Sequence, residues 1–182
     1  MRRLTKMIKP AVILLSLGLL LGCSHSIDKN SYQDVNPKFD LYDFFEGGVK
    51  AWGIVQNRSG NVVQRFIVDI NGTIENNILT LDETFEYGMG DGVKNRIWTI
   101  KKLSENTYSG EASDMLNTAS GEVYGNALRW QYKMELPVGD KSYKVSFDDW
   151  MWSFNENTLM NRSYIKKFGL VMAEVTIFMQ KQ

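Results

Sequence analysis

Alternation of apolar and polar residues, rather than helical periodicity, organises this chain from Val49 almost to its end. In residues 62–70, for example, Phe66, Val68 and Ile70 share one face. A period of two places successive side chains on opposite faces of a β-strand, so each such segment forms a strand with one buried face. We count nine or ten strands joined by short turns and find no convincing long helix.

The turns between these segments are rich in glycine and asparagine. Asn71-Gly72 is the strongest hairpin signal, because these two residue types accept the backbone of a tight two-residue turn. The glycine-rich run 88–92 resembles a phosphate-binding loop, but no helix follows it, so we interpret it as a hairpin tip. Ahead of the first strand, residues 40–48 predict a short helical turn ended by glycines.

Antiparallel strands that follow one another through tight turns favour an up-and-down barrel, because closure removes the unpaired edges that invite aggregation. A barrel with this number of strands has room for one small ligand. A membrane-spanning barrel is the alternative, but we expect Arg65, Asp69, Glu174 and Thr176 on outer faces, where lipid requires apolar residues. We therefore predict an all-β fold with a single antiparallel up-and-down barrel over residues 39–182.

Residues 1–22 have the layout of a cleaved signal peptide. A basic segment without acidic residues precedes the apolar run 11–21, which is too short to span a bilayer. The run ends in Leu20-Leu21-Gly22-Cys23, which resembles the cleavage pattern of bacterial lipoproteins. In that class the cysteine thiol is acylated, the preceding bond is cut, and Cys23 becomes the first residue. The alternative is an ordinary secreted protein with a chance cysteine.

Residues 23–38 are expected to form a lipidated N-terminus and a polar tether. Residues 24–38 show no periodicity, and a flexible chain of that length spans about 20 Å. Ser24, rather than aspartate, after the acylated residue resembles lipoproteins that are sent to the outer membrane. We therefore expect Cys23 to carry palmitate, which would anchor the protein in the membrane. The expected location is the periplasmic face of the cell outer membrane.

The composition excludes several classes of function. Four of the 21 basic residues leave with the signal peptide while all 21 acidic residues stay, so the mature chain is net acidic and no nucleic-acid partner is expected. His25 is the single histidine and lies in the tether, which removes Ser-His-Asp and Cys-His catalysis and the usual zinc sites. We therefore predict a non-enzymatic protein without a cofactor or a metal site.

One carboxyl group falls on an apolar strand face. Glu83 shares a face of the strand predicted over residues 78–87 with two leucines and two aromatic residues. A buried carboxylate is costly unless it is paired, so Glu83 needs a partner. We expect a salt bridge to an inward-facing Arg96 or Arg129, or a role for Glu83 as the anchor of a ligand inside the barrel.

Residues 143–154 are rich in aromatic side chains whose parity changes at Asp148-Asp149. The large residues occupy odd positions before this pair and even positions after it: Tyr143, Val145 and Phe147, then Trp150, Trp152 and Phe154. A β-bulge between Phe147 and Trp150 would keep both sets on the interior face, and we predict one there. The two aspartates either perform acid/base chemistry, pin the bulge, or pair with Arg162.

The predicted site is an apolar pocket inside the barrel with a few charged groups. Its candidate ligand-binding residues are Glu83, Arg96, Trp98, Trp130, Tyr132, Asp148, Asp149, Trp150, Trp152 and Arg162. We weigh a module that holds a lipid or other amphiphile against a structural or assembly lipoprotein whose filled barrel binds another envelope protein. A hydrolase that uses the carboxylates is a third hypothesis. An open interior would favour the first function, and a closely packed interior the second.

Several short motifs spread along the strands carry a family resemblance. They are Phe147-Asp148-Asp149-Trp150-Met151-Trp152, Asn161-Arg162, Lys167-Phe168-Gly169, Gly125-Asn126-Ala127-Leu128, Leu136-Pro137-Val138, and Arg65-Phe66 with Asp69-Ile70. Together they resemble the signature of a family of uncharacterised Gram-negative lipoproteins that is classed only as a domain of unknown function. The resemblance covers residues 44–181. It implies a lipocalin-like periplasmic domain, but no activity and no catalytic residues.

Overall fold

Each strand is hydrogen-bonded to the next one in sequence, and the last strand returns to the first. The computed structural model describes residues 27–182. The strands are β1 (Gly47–Asn57), β2 (Val62–Glu75), β3 (Ile78–Tyr87), β4 (Asn95–Lys102), β5 (Thr107–Glu111), β6 (Ala119–Tyr124), β7 (Ala127–Val138), β8 (Lys141–Asn155), β9 (Thr158–Lys167) and β10 (Leu170–Lys181). All neighbours are antiparallel, including β10 and β1. The predicted all-β up-and-down barrel is confirmed.

Alternation along the strands separates an apolar interior from a charged exterior. On the outside, Asp69 pairs with Lys50 at 2.6 Å, and Glu174 pairs with Arg162 at 2.8 Å. On the inside, glycines on two short strands make room for one large ring. A Cβ atom at Gly110 or Gly121 would lie 2.4 Å from the ring of Trp130. The core side of β5 and β6 is therefore shaped around an aromatic residue of β7.

A short helix closes one end of the barrel. This helix, α1 (Leu41–Phe45), begins after Asp40, whose Oδ1 accepts a hydrogen bond from the Tyr42 backbone N–H at 2.8 Å. Leu41 and Phe45 are buried and line the barrel interior. The helical turn predicted over residues 40–48 is confirmed. The opposite end carries the connections 58–61, 88–94, 112–118, 139–140 and 168–169.

The hairpin turn predicted at Asn71-Gly72 is wrong. Asn71 and Gly72 lie inside β2, and the turn to β3 falls at Asn76 and Asn77, which have φ angles of 50° and 62°. Packing explains the difference, because a Cβ atom at Gly72 would lie 1.7 Å from the carbonyl oxygen of Phe45. Gly72 therefore serves the close approach of α1 to the barrel wall rather than a turn.

The β-bulge predicted between Phe147 and Trp150 is wrong. Asp148 pairs in register with Gln131 of β7, and Asp149 with Trp130, without interruption. The pairing of β8 with β9 is equally regular there, and its irregularity lies later, between residues 153 and 155. The odd positions of β8 therefore continue to face the interior, and Trp150 faces outward.

The outward-facing tryptophans are covered by the N-terminal segment, which we define as residues 27–38. It contains a 3₁₀ turn, Lys29–Tyr32, and the ring of Tyr32 lies 5.8 Å from that of Trp150 and 6.2 Å from that of Trp152. Ile27 packs against the same cluster. This packing differs from the flexible tether expected over residues 24–38, because burial of apolar rings favours an ordered segment.

The predicted signal peptide, residues 1–22, and the predicted lipidation site, Cys23, lie outside the described residues. Within residues 27–182, no helix is long and apolar enough to cross a membrane.

Candidate ligand-binding site

The barrel interior contains a cavity of about 570 Å³. Leu41 and Phe45 of α1 form its floor, whereas Asp91 and Val138 lie at its mouth on the opposite end. Ligand pockets in proteins have volumes of about 300–1,000 Å³. The interior therefore has room for one small molecule, which favours the ligand-binding hypothesis over a filled barrel.

The lining of the cavity is largely apolar, and a band of polar side chains crosses it beyond the residues that lie next to α1. β3 begins at the closed end of the barrel, so its inward-facing residue Leu81 lies nearer to α1 than its inward-facing residue Glu83. Near α1 the lining is apolar and includes Ala51, Ile70, Leu81, Ile100 and Met179. Farther out lies a group that we call the polar belt: Glu83, Arg96, Asp114, Tyr132, Asp149, Asn161 and Ser163. Apolar lining continues on the mouth side of the polar belt, for example at Phe85 and Met134.

Glu83 faces the interior beside an arginine, as the sequence analysis predicts. Its side chain is 13% exposed, and its Oε2 lies 3.8 Å from Nη1 of Arg96 on β4. Burial raises the pKa of Glu83 to about 7, although the charge of Arg96 opposes that rise. Near neutral pH this carboxyl group is therefore divided between its protonated and ionised forms.

Arg96 is held mainly by a residue that the sequence analysis did not identify. Its Nε donates a hydrogen bond to Oδ1 of Asp114 at 3.3 Å, and its Nη2 donates one to Oδ2 at 2.8 Å. This two-pronged geometry is the strong form of an arginine–carboxylate pair. Asp114 lies in the connection between β5 and β6. The guanidinium of Arg96 is thus committed to Asp114, with Glu83 as a second, more distant neighbour.

Asp149 is the second buried carboxyl group of the polar belt. It is 7% exposed, and its Oδ1 accepts a hydrogen bond from the hydroxyl group of Ser163 on β9. Burial raises the pKa of Asp149 to about 7 against the opposing effect of that hydrogen bond. Two carboxyl groups from different strands are therefore poised to change charge near neutral pH.

Aromatic rings surround the polar belt. Trp98 meets Trp130 and Tyr132 edge to face, with ring centroids 5.8 and 5.5 Å apart. Tyr132 also stacks on Phe147 at 4.8 Å. Burial raises the pKa of Tyr132 well above its usual value, so its hydroxyl group stays protonated. The belt therefore combines charged groups with the faces and edges of large rings.

The structure divides the ten predicted ligand-binding residues into two sets. Those that line the cavity are Glu83, Arg96, Trp98, Trp130, Tyr132 and Asp149. Those that lie on the outer wall are Asp148, Trp150, Trp152 and Arg162, because the regular register of β8 and β9 turns them away from the interior. The prediction that Trp150 and Trp152 belong to the interior wall is therefore wrong; Asp149 and Met151 lie there instead, next to Phe147, whose interior position was predicted correctly.

Asp148 has a structural role on the outer wall. Its carboxylate accepts hydrogen bonds from Nε of Arg129 at 2.7 Å and from Nζ of Lys166 at 2.6 Å. Burial alone would raise the pKa of Asp148, but these two hydrogen bonds hold it below its ordinary value. The proposed pairing of the aspartates with Arg162 is wrong, since Arg162 pairs with Glu174. The Asp148-Asp149 pair is thus split between the two faces of the sheet.

Three residues of the polar belt, Asp114, Asn161 and Ser163, were missed by the sequence analysis. Asn161 and Ser163 share the odd positions of β9 with the buried Leu159 and Ile165, so the period of two could have placed them inside. Asp114 lies in an irregular connection with no such signal.

Within residues 27–182, no group of three or more His, Cys, Asp or Glu side chains is arranged to hold a metal ion.

A closed, up-and-down barrel with an interior cavity is a lipocalin-like fold, here with ten strands. The chain belongs to the family described as a protein of unknown function (DUF3833), whose pattern matches residues 17–181. The fold is similar to that of the S-type phycobiliprotein lyase CPES from Guillardia theta. That likeness has 8% sequence identity and a TM-score of 0.51, and covers 75% of this chain and 88% of that one. No curated protein matches the chain.

Proposed function

We propose that this protein binds an amphiphile in its barrel and releases it chemically unchanged. The observation that carries the proposal is a 570 Å³ cavity whose lining is largely apolar and is crossed by the polar belt. Apolar lining gives affinity for the apolar part of an amphiphile, because it removes that part from water. A few polar groups in the lining orient the polar head group of the ligand. The structural or assembly function is less well supported, because it requires a filled interior.

Blocking the cavity should abolish binding of a neutral amphiphile such as dodecanol. Val55 lines the cavity, whereas its neighbour Ile54 belongs to the outer wall of β1. We expect Val55→Trp to weaken binding at least about tenfold, because the indole occupies volume that the ligand needs, and Ile54→Trp to leave it unchanged. Titration followed by tryptophan fluorescence measures the affinity, and mass spectrometry of the recovered probe tests for conversion.

The opposite results would contradict this proposal in separate ways. Absence of binding by the unaltered protein, or equal binding by both variants, would argue against a ligand in the barrel. A chemically altered probe would leave the cavity as the site but would replace the binding module with an enzyme.

We also propose that the protein is an outer-membrane lipoprotein anchored through Cys23. The N-terminal segment supports a particular orientation, because Ile27 packs against the cluster of Tyr124, Ala127 and Trp150, which includes residues beside the β6–β7 hairpin at the closed end. The four residues from Cys23 to Ile27 reach at most about 14 Å. A strand as long as β2, tilted as in a barrel, rises ~35 Å. The closed end would therefore lie near the bilayer, with the mouth facing the periplasm.

Replacing Cys23 with serine is expected to release the protein from the membrane fraction, because stable anchoring requires two acyl chains or an equivalent pair of signals. Fractionation and metabolic labelling with palmitate measure the effect. As a matched control, Ser24→Asp retains the cysteine and should keep the label while moving the protein away from the outer-membrane fraction. Continued palmitate labelling of the Cys23→Ser variant would rule out this anchor.

A further inference from the structure

The charges that line the cavity are strongly unbalanced. Within the described part of the chain, the single basic residue of the lining is Arg96. The acidic residues of the lining are Glu83, Asp91, Asp114, Glu135 and Asp149, two of which, Asp91 and Glu135, lie near the mouth. The lining of the cavity is therefore net negative whenever these groups are ionised. Such a field concentrates cations and repels anions.

Arg96 does not offset this imbalance for an incoming anion. Its Nε and Nη2 are occupied by Asp114, and its Nη1 already has Glu83 at 3.8 Å. An anionic head that approached Arg96 would have to displace Asp114 and would meet Glu83 at close range. Each of these steps costs free energy, because a buried charge loses its partner or gains a like-charged neighbour.

Glu83 and Asp149 retain part of their capacity to accept hydrogen bonds. An ionised carboxylate offers about four acceptor positions. Asp149 accepts a hydrogen bond from Ser163, and hydrogen bonds from Trp98 to Glu83 and from Tyr132 to Asp149 oppose the rise in the pKa of each carboxyl group. Both residues line the cavity. A cationic head placed between them would therefore find acceptors, and its charge would favour the ionised form of both groups.

The aromatic rings of the polar belt favour the same kind of head. Trp98, Trp130 and Tyr132 lie together, with edge-to-face contacts at 5.8 and 5.5 Å, and all three line the cavity. The face of an aromatic ring attracts cations, and tryptophan does so most strongly. Groups of such rings are a recognised means of binding ammonium heads in proteins. This observation is independent of the carboxyl groups and leads to the same chemistry.

We propose that the cavity selects an amphiphile with a cationic head, a primary amine or a quaternary ammonium group, which pairs with Glu83 and Asp149 beside Trp98 and Tyr132. This inference rests on the proposed binding of an amphiphile and adds the chemical class of the ligand. The apolar body of the ligand lies toward α1, against Leu81 and the rest of the apolar floor.

The test compares three probes with the same alkyl chain and different heads: dodecylammonium, dodecanol and dodecanoate. Isothermal titration of the unaltered protein at neutral pH should show dodecylammonium binding about tenfold or more tightly than either of the others. In the double variant Glu83→Gln, Asp149→Asn, the preference for dodecylammonium over dodecanol should disappear while dodecanol still binds. The control Asp82→Asn, Glu86→Gln removes the same two charge types from exposed positions of β3 and should keep the preference.

Each remaining outcome overturns a defined part of the proposal. Equal affinities for the three heads, or tightest binding of dodecanoate, would overturn cationic selection but leave the barrel as an amphiphile site. Failure of all three probes to bind would instead remove the proposed function. Because the comparison of heads uses the unaltered protein, it gives an answer even if the double variant does not fold. Loss of the preference in the outer-face control would mean that net charge, rather than the polar belt, selects the head.

Discussion

Replacing Trp150 with alanine is expected to lower the free energy of unfolding by about 3–5 kcal/mol without changing the affinity for an amphiphile. Trp150 is 2% exposed although it projects from the outer wall. Its ring is covered by Tyr32 at 5.8 Å and Tyr124 at 6.1 Å, and the guanidinium of Arg129 lies 5.6 Å from its centroid. Truncation would therefore leave a void between the barrel and the N-terminal segment. Denaturant unfolding measures the loss.

The matched comparison for this prediction is Trp98→Ala. Trp98 is also buried, at 7% exposure, but it lines the cavity. We expect Trp98→Ala to reduce both stability and affinity for the amphiphile. Both variants should therefore lose stability, but only Trp98→Ala should lose affinity. Combining Trp150→Ala with Tyr32→Ala should cost less than the sum of the single variants, because both remove the same contact. Strong loss of binding in Trp150→Ala, with stability retained, would contradict the outer-wall placement.

The second large effect is a fall in stability as the pH rises from about 4.5 to 7. The pKa of Glu83 is raised from 4.5 to about 7 in the folded protein, and that of Asp149 from 3.8 to about 7. The folded state therefore binds more protons than the unfolded state across this window, so the stabilisation present at low pH is lost as the pH increases. At about 1.4 kcal/mol per pKa unit, each group contributes on the order of 3 kcal/mol.

Unfolding in urea at several pH values measures this slope, and the variant Glu83→Gln, Asp149→Asn should flatten it. The groups that face the two carboxyls from other elements are Arg96, Asp114 and Tyr132, and the high pKa of Tyr132 keeps it from titrating in this window. Asp148 acts in the opposite sense, because its pKa is lowered and its contribution is lost only under more acidic conditions. A free energy of unfolding that rises from pH 5 to 7 in the unaltered protein would contradict the raised pKa values of Glu83 and Asp149.

The position of Glu83 was predictable because it depends on one strand. A period of two and one acidic residue among apolar neighbours were sufficient to place it inside, next to the inward-facing Arg96. Trp150 was not predictable in this way. Its size and aromatic character suggested the interior, but the side of the sheet that buries it was decided by Tyr32, more than one hundred residues earlier in the chain.

The glycine of the predicted hairpin shows the same limit. Gly72 has the residue type that a turn requires, yet its position is set by the carbonyl group of Phe45, which no local pattern reveals. Local signals rank the possible turns, and a contact between distant segments selects among them. Asn76 and Asn77 therefore form the turn although their signal is weaker.

By itself, the amino-acid sequence determined the class of fold and most of the strands, because alternation and turn residues act over a few neighbouring positions. It also placed Glu83, Arg96, Trp98, Trp130, Tyr132 and Asp149 among the candidate residues of the site. Only the tertiary structure decided that Asp149 faces inward while Asp148 faces outward, that Asp114 holds Arg96, and that the N-terminal segment covers Trp150. These features depend on strand register and on contacts between segments far apart in sequence, where a shift of one residue exchanges the two faces of a strand.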